Sequence, residues 1–196
     1  MPRRIVIIQG HPDRLERHLG HAMADAYAEG AQQGGHEVRH VAVAELDFPL
    51  LRSAKAWQGT DVIPDILEAQ RRIAWADHLV ILYPLWLGTM PSLLKAFMEQ
   101  LFRPGFAFSR DESSGAMGGK LLTGKSARII VTMGMPAVFY RWFFRAHSLK
   151  SLERNILKFV GIRPVRTTLF GRVEGVSASR RERWLKRVRA LGTRGR

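Results

Sequence analysis

Five short, β-branched apolar runs punctuate the chain, and longer stretches with helical periodicity separate them. In Ile5-Val6-Ile7-Ile8 no polar residue alternates with the apolar ones, the mark of a strand covered on both faces of a parallel sheet. Glu37 to Val43, His78 to Tyr83, Arg128 to Thr132 and Val165 to Phe170 are the other strand candidates. Between the first two, Leu19, Ala22, Met23, Ala26 and Tyr27 recur at helical spacing, and Gly34-Gly35 supplies a stop. Pro64, suited to a first helical position, opens a helix that reaches Ala76, and Pro91 opens another that runs through Leu94, Phe97, Met98 and Leu101. Further helices are expected over about 149–160 and 179–191, the second headed by a capping box of Ser179 and Glu182. Asp47 to Asp61 reads as an irregular loop, and 103–127, with Gly105, Gly115, Gly118, Gly119 and Gly124, as an excursion or hairpin. Strand and helix in alternation predict an α/β fold, a doubly wound parallel sheet within one domain spanning residues 1–196, with 192–196 a frayed tail.

Composition narrows the chemistry. The chain has no cysteine, which removes disulfides, thiolate metal sites and a cysteine nucleophile, and leaves any redox chemistry to a bound cofactor. Because no apolar stretch approaches the roughly 18 residues of a membrane span, a soluble cytoplasmic protein is expected. Charge is lopsided: residues 1–102 carry 10 Lys/Arg against 12 Asp/Glu, whereas residues 103–196 carry 21 against 5. Such a basic half suits an anionic ligand, an anionic membrane face, nucleic acid or an acidic partner, and equally a solvated surface. The Arg-rich helix Arg180 to Arg189 comes with no recognition motif, so no nucleic-acid partner is expected.

In an open parallel sheet, ligands bind beyond the carboxyl ends of the strands, where the strand order reverses. Three loops lie there. Gly10 to His18, between a buried strand and a helix, offers helix amides plus His11, Arg17 and His18 to a phosphate; it is neither a dinucleotide fingerprint nor a Walker sequence. Tyr83 to Pro91 offers main-chain polar groups to the edge of a planar heterocycle, with Trp86 or Leu87 against its face, or else a packed turn with Trp86 in the core. Thr132 to Tyr140 places Gly134 where a ring can come close and Tyr140 where a hydroxyl can donate. Phe139, Trp142, Phe143 and Phe144 read as packing or subunit-interface residues.

Gly10-His11-Pro12, Tyr83-Pro84-Leu85-Trp86 with Gly88, Pro91 and Leu94-Lys95, Phe106-Ala107-Phe108, and Gly134 with Tyr140 together resemble the flavodoxin-like NAD(P)H:quinone oxidoreductases, a family that includes potassium-efflux ancillary flavoproteins. The resemblance implies a five-stranded sheet in the order 2-1-3-4-5 and a tightly bound FMN or FAD. It implies phosphate contacts from His11, His18 and Leu19, ring contacts from Pro84, Leu85, Trp86 and Leu87, and further flavin contacts from Thr132, Gly134 and Tyr140; Arg17 and Gly88, in the same two loops, complete the expected cofactor-binding set. NAD(P)H as cosubstrate would reduce the flavin, and a quinone-like acceptor would then take two electrons. Tyr140 and His147 would neutralise charge on that acceptor, so that Tyr140→Phe slows turnover while flavin stays bound. The resemblance further implies a homodimer. It leaves open a flavin-binding regulatory subunit docked on a membrane transporter such as a potassium-efflux system, with peripheral contact to a membrane protein or an anionic membrane surface.

Overall fold

A computed structural model describes residues 1–109 and 119–196, so Gly115 and Gly118 of the expected excursion lie outside the described residues. The chain belongs to an α/β architecture whose strands are β1 (Arg4–Gln9), β2 (Glu37–Ala42), β3 (His78–Pro84), β4 (Ser126–Met133) and β5 (Val165–Gly171). They form one parallel sheet in the order β2-β1-β3-β4-β5, the order the resemblance implied. Around it lie α1 (Leu19–Gln33), α2 (Ala54–Gln58), α3 (Pro64–Trp75), α4 (Ser92–Leu101), α5 (Ala137–Trp142), α6 (His147–Lys150) and α7 (Ala178–Thr193).

Each strand divides its side chains between two cores. Ile5, Ile7, Val80, Leu82, Ile130 and Phe170 face α1 and α7, while Val6, Ile8, Leu79, Ile81, Ile129 and Val131 face the opposite layer of α3, α4 and α6. This two-residue period, apolar on both faces, is why the strands read as unbroken apolar runs. From β1 the chain turns outward to β2, then crosses back to β3 on the other side of β1. The strand order therefore reverses between β1 and β3, whose carboxyl ends are Gln9 and Pro84.

Several elements depart from the sequence expectation. The loop 47–61 contains α2, capped by Ser53 Oγ, which accepts from Ala56 N at 3.0 Å. The Arg103 guanidinium donates to the carbonyls of Trp57 at 3.2 Å, Asp61 at 2.8 Å and Ala56, so a distant arginine supplies the order that local propensity lacks. Pro91 is the N-cap of α4 rather than its first residue. Helix α5 was not foreseen, and α6 starts at His147 and widens into a π-helical stretch at Ser151–Leu157. Helix α7 is capped not by Ser179 but by Ser177, whose Oγ accepts from Arg180 N at 3.4 Å. Nor does the tail fray. α7 continues to Thr193, and Gly195 O then accepts from Arg3 Nη1 at 3.1 Å. Among the described residues, no helix is long and apolar enough to cross a membrane.

The tail is held because α1 and α7 meet backbone to backbone. A Cβ built on Gly30 would overlap the carbonyl of Arg189, one on Gly34 that of Thr193, and one on Gly192 that of Tyr27. Where the obstacle is main chain, no rotamer change relieves the clash, and the helices must separate. Gly30→Ala is expected to destabilise the fold by about 3 kcal/mol. That would lower Tm by roughly 9 °C in thermal unfolding.

Candidate functional site

At the end of β1, Gly10 N donates to Leu82 O at 2.7 Å, and a Cβ at Gly10 would run into Leu94. Only glycine lets the strand turn there while still joined to β3. The loop beyond is held by its own side chains. Gln9 Oε1 accepts from His11 N at 3.0 Å, and His11 Nδ1 accepts from Asp13 N at 3.1 Å. Asp13 Oδ1 accepts from Leu15 N at 2.8 Å, while its Oδ2 meets His18 Nε2 at 2.7 Å. His21 Nδ1 accepts from His18 N at 3.0 Å, which ties the N-cap of α1 to its first turn. The His11 and His18 rings stack at 4.0 Å and 20°, with His21 5.3 Å from His11 and Trp86 edge-on at 5.7 Å.

These contacts set the charge of the loop. Burial, then the neighbouring His18 and His21, pushes His11 down to about 4, and burial likewise lowers His21. Because both Nδ1 atoms accept hydrogen bonds, each ring is a neutral imidazole with its proton on Nε2. The hydrogen bond from His18, with those from the Leu15 and Glu16 amides, holds Asp13 at about 2. Glu16 brings a third ligand-type atom within 4.8 Å of Asp13 and His18, but the hydrogen bonds to Asp13 already account for its position.

Between this loop and the β3 end lies an open cavity of about 600 Å³, a size typical of small-molecule sites. His11, His18, Leu19 and Gly20 line one side, Pro84, Trp86 and Thr132 the floor, and Val173, Glu174 and Arg181 the far wall. Helix geometry leaves the first-turn amides of Leu19 and Gly20 without an intrahelical acceptor. Below them, the Gln9 side chain is buried, and its Nε2 has no hydrogen-bond partner. A Cβ at Gly20 would stand 3.9 Å from that nitrogen. Helix amides, an orphaned amide donor and the two lining histidines together fit a phosphate group, and the half-exposed Trp86, at 49%, fits the flank of a planar ring.

Not every expected residue reaches the cavity. His11, Arg17, His18, Leu19, Pro84, Trp86 and Thr132 line it, although Arg17 already pairs with Asp25. Leu85 packs into the core and donates its amide to Thr132 O at 2.7 Å. Leu87 and Gly88, with φ of 44° and 81°, form the tip of a type I′ turn closed by two Trp86–Thr89 backbone hydrogen bonds of 2.9 Å. Leu87 is wholly exposed there, away from the cavity lining. Gly134 is covered by Glu174, whose Oε1 would lie 3.1 Å from a Cβ at that position.

The two expected catalytic residues are likewise elsewhere. Tyr140 is buried at 2% exposure, its hydroxyl 2.7 Å from Ser148 Oγ and accepting from Leu149 N at 3.3 Å. His147 is exposed at the start of α6. Neither lines the cavity, because α5 presents its one inward position to the core rather than to the strand ends.

Conversely, Asp13, Gly20, Val173, Glu174 and Arg181 line this cavity and were not singled out, nor were Gln9 and His21, which line a neighbouring cavity of about 260 Å³ that shares His11, Asp13 and Arg17 with it. Gln9 carried a signal: it is the polar residue that ends an otherwise apolar buried strand. His18 and His21 also stand three apart at a helix start, the spacing of a capping pair. The far wall carries none, since it depends on where α7 docks.

Residues 3–191 match the family described as having the flavodoxin-like fold. The chain is 30% identical over 158 residues to the ribosyldihydronicotinamide dehydrogenase-like protein traD of Penicillium crustosum, a match covering 67% of this chain and 57% of that protein. It is 29% identical to an FMN-dependent NADH:quinone oxidoreductase of Nitratidesulfovibrio vulgaris, covering 91% and 93%. A solved NAD(P)H:quinone oxidoreductase from Methanothermobacter marburgensis superposes with a TM-score of 0.82 at 23% identity, over 98% of this chain and 96% of that one.

The histidines give the fold a defined acid sensitivity. Burial holds His78 down to about 3, as it holds His11 at about 4, whereas an unfolded imidazole titrates near 6.5. As pH falls below about 6.5 the unfolded chain takes up protons that the folded chain does not, so stability is full above that pH and drains away toward pH 4. Tm should therefore decline steadily from pH 7 to pH 4, and His11→Gln should make the decline shallower. In an NMR titration the His11 ring resonances should move with a midpoint near 4.

Proposed function

We propose that this chain, which belongs to the flavodoxin-like fold family, is an FMN-dependent NAD(P)H oxidoreductase that reduces a quinone or similar acceptor. One observation carries the reading: the buried, unpartnered Gln9 Nε2 lies beneath the open N-terminus of α1, at the point where strand order reverses. A buried amide left without an acceptor costs free energy unless something completes it, and an anion there would be met by helix amides at the same time. The cavity has one such niche. That favours the single phosphate of FMN over the diphosphate of FAD, in keeping with the cofactor named for the Nitratidesulfovibrio relative.

The residues divide the work. The amides of Leu19 and Gly20, with Gln9 beneath Gly20, would hold the phosphate, with His18 and Arg17 beside it. Neutral His11 sits between this niche and Trp86, so it extends the wall without adding a charge. Pro84, Trp86 and Thr132 would flank the ring system, whose N5 accepts a hydride from a nicotinamide and passes it to an acceptor. Trp86 leaves about half its surface open, and a planar donor or acceptor would enter from that side. With its hydroxyl engaged by Ser148 and Leu149, Tyr140 acts as a structural pin.

FMN titration followed by absorbance and fluorescence tests the reading. Gln9→Leu, which removes the donor but keeps the volume, should weaken FMN binding by about 10- to 100-fold, the worth of a hydrogen bond to a charged group. Tyr140→Phe should cost about 1 kcal/mol of stability and leave NAD(P)H:quinone turnover unchanged. Protein that binds neither FMN nor FAD would overturn the proposal.

A further inference from the structure

Toward the amino ends of the strands, away from the cavity, the face of the sheet under α1 and α7 carries basic side chains. Strand register sets Arg128 on β4 beside Arg166 on β5 and beside Val80 on β3. Val80, Ile130 and Phe170 pack toward α1 and α7, and side chains two residues apart share a face, so Arg128 and Arg166 point the same way. His78, two residues before Val80, continues the row toward β1. Arg128 stands about 13 Å of strand before Thr132 on the cavity floor.

Arg128 is 6% exposed, and a guanidinium so covered ordinarily lies against a carboxylate. Among the described residues it has none. Its Nη1 donates to Thr168 Oγ1 at 2.7 Å, and its buried Nε has no acceptor. The Tyr27 hydroxyl and His78 Nε2, both buried, are without partners too. Nearby acids are engaged elsewhere: Asp77 pairs with Arg4 at 2.8 Å and Glu29 with Arg189 at 2.6 Å, while Glu37 acts on Arg4. The carbonyls that close α7 are taken as well, Gly195 O by Arg3 at 3.1 Å and Thr193 O by His36 Nε2 at 3.3 Å. What surrounds Arg128 is further positive charge. Burial, and then Arg166, Arg187 and Arg196, weaken its hold on its proton, so β4, β5 and α7 each bring a cation to the same place.

We propose that Arg128, with Arg166 and Arg187, forms a binding site for a phosphate-type dianion, reached from the free edge of β5 and separate from the cavity at the strand ends. A buried guanidinium with unused donors matches the oxygens of one phosphate group, in a recess that the continuous backbone of a nucleic acid does not follow. Arg166 and Arg187 are exposed and free to close on the anion, since neither has an ion-pair partner among the described residues. The anion cancels the repulsion between α7 and the sheet, so it stabilises the folded chain over the unfolded one. It also completes the hydrogen bonding of Arg128, which Thr168 alone does not.

Thermal unfolding in inorganic phosphate and in glycerol phosphate, each matched in ionic strength with chloride, tests this without reference to flavin or activity. Phosphate at about a hundredfold above its Kd should raise Tm by roughly 8 °C over chloride. Arg128→Met keeps the bulk of the side chain and removes the charge; it should lose most of that rise and, in chloride, unfold no lower than the parent. The exposed double variant Arg166→Gln/Arg187→Gln, which leaves the core untouched, should bind phosphate about tenfold more weakly. Gln9→Leu should keep the response, which tells an anion held here from one held at the start of α1. A response to inorganic phosphate alone supports a free anion and a response to both salts a phosphate carried on a larger molecule; either upholds the site. Equal Tm in phosphate and chloride, or an undiminished response in Arg128→Met or in Arg166→Gln/Arg187→Gln, would sink the proposal, as would a response that only Gln9→Leu removes.

Discussion

The close crossing of α1 and α7 fixes much else in this molecule. With glycine at 30, 34 and 192, the two helices touch through main chain, and the rows of side chains that ordinarily separate helices are missing. Val188 and Trp184 then reach the sheet beside Tyr27 and Phe170, closing the core on that face. The exposed Arg189–Glu29 pair at 2.6 Å flanks the crossing but adds little in water. What the crossing sets is the axis of α1, and with it the place where its free amides point. Arg181, one turn into α7, is carried by the same packing to the far wall of the cavity.

Strand positions were legible because burial on both faces leaves an unmistakable pattern, and the three loops followed from where parallel strands end. The site was legible only in part. A strand-to-helix loop announces its location, but which of its side chains turn inward depends on neighbours far along the chain. Leu87 and Gly88 sit at a hairpin tip because Trp86 and Thr89 pair across it, and nothing in Tyr83 to Pro91 distinguishes that turn from one that wraps a ligand. Helix α5 spans six residues, fewer than two turns, so its aromatic run shows no period from which the inward position could be read. The partner of Tyr140 lies eight residues away across an irregular turn. Ser179 with Glu182 matched a capping box as well as any pair could, yet the helix starts two residues earlier at Ser177, where β5 delivers the chain.

Charge at the cavity is more balanced than the basic second half suggests. Asp13 stays ionised, and it spends that charge on His18 and two loop amides, so the carboxylate builds the loop instead of opposing an anion. Glu174 on the far wall faces Gly134, and Arg17 is tied to Asp25. With Asp13 and Arg17 committed to other partners, the groups at this end of the cavity that meet a phosphate are amide dipoles: the start of α1 and Gln9. Dipoles fixed in a fold need no reorganisation when an anion arrives and release no counter-ion when it leaves, so recognition there depends on geometry more than on net charge.

Helix α5 cannot serve the cavity and the outer surface at once. Turning Tyr140 toward the strand ends would rotate a six-residue helix about its axis and carry Phe139 and Phe143, one turn apart on its outer side, toward the core. It would also strip Ser148 and the Leu149 amide of their partner and release the left-handed turn at Arg145 and Ala146. Each of these costs falls on the same few residues, so together they oppose any rotation of the helix. In the position observed, the hydroxyl belongs to the core and the aromatic rings to the surface.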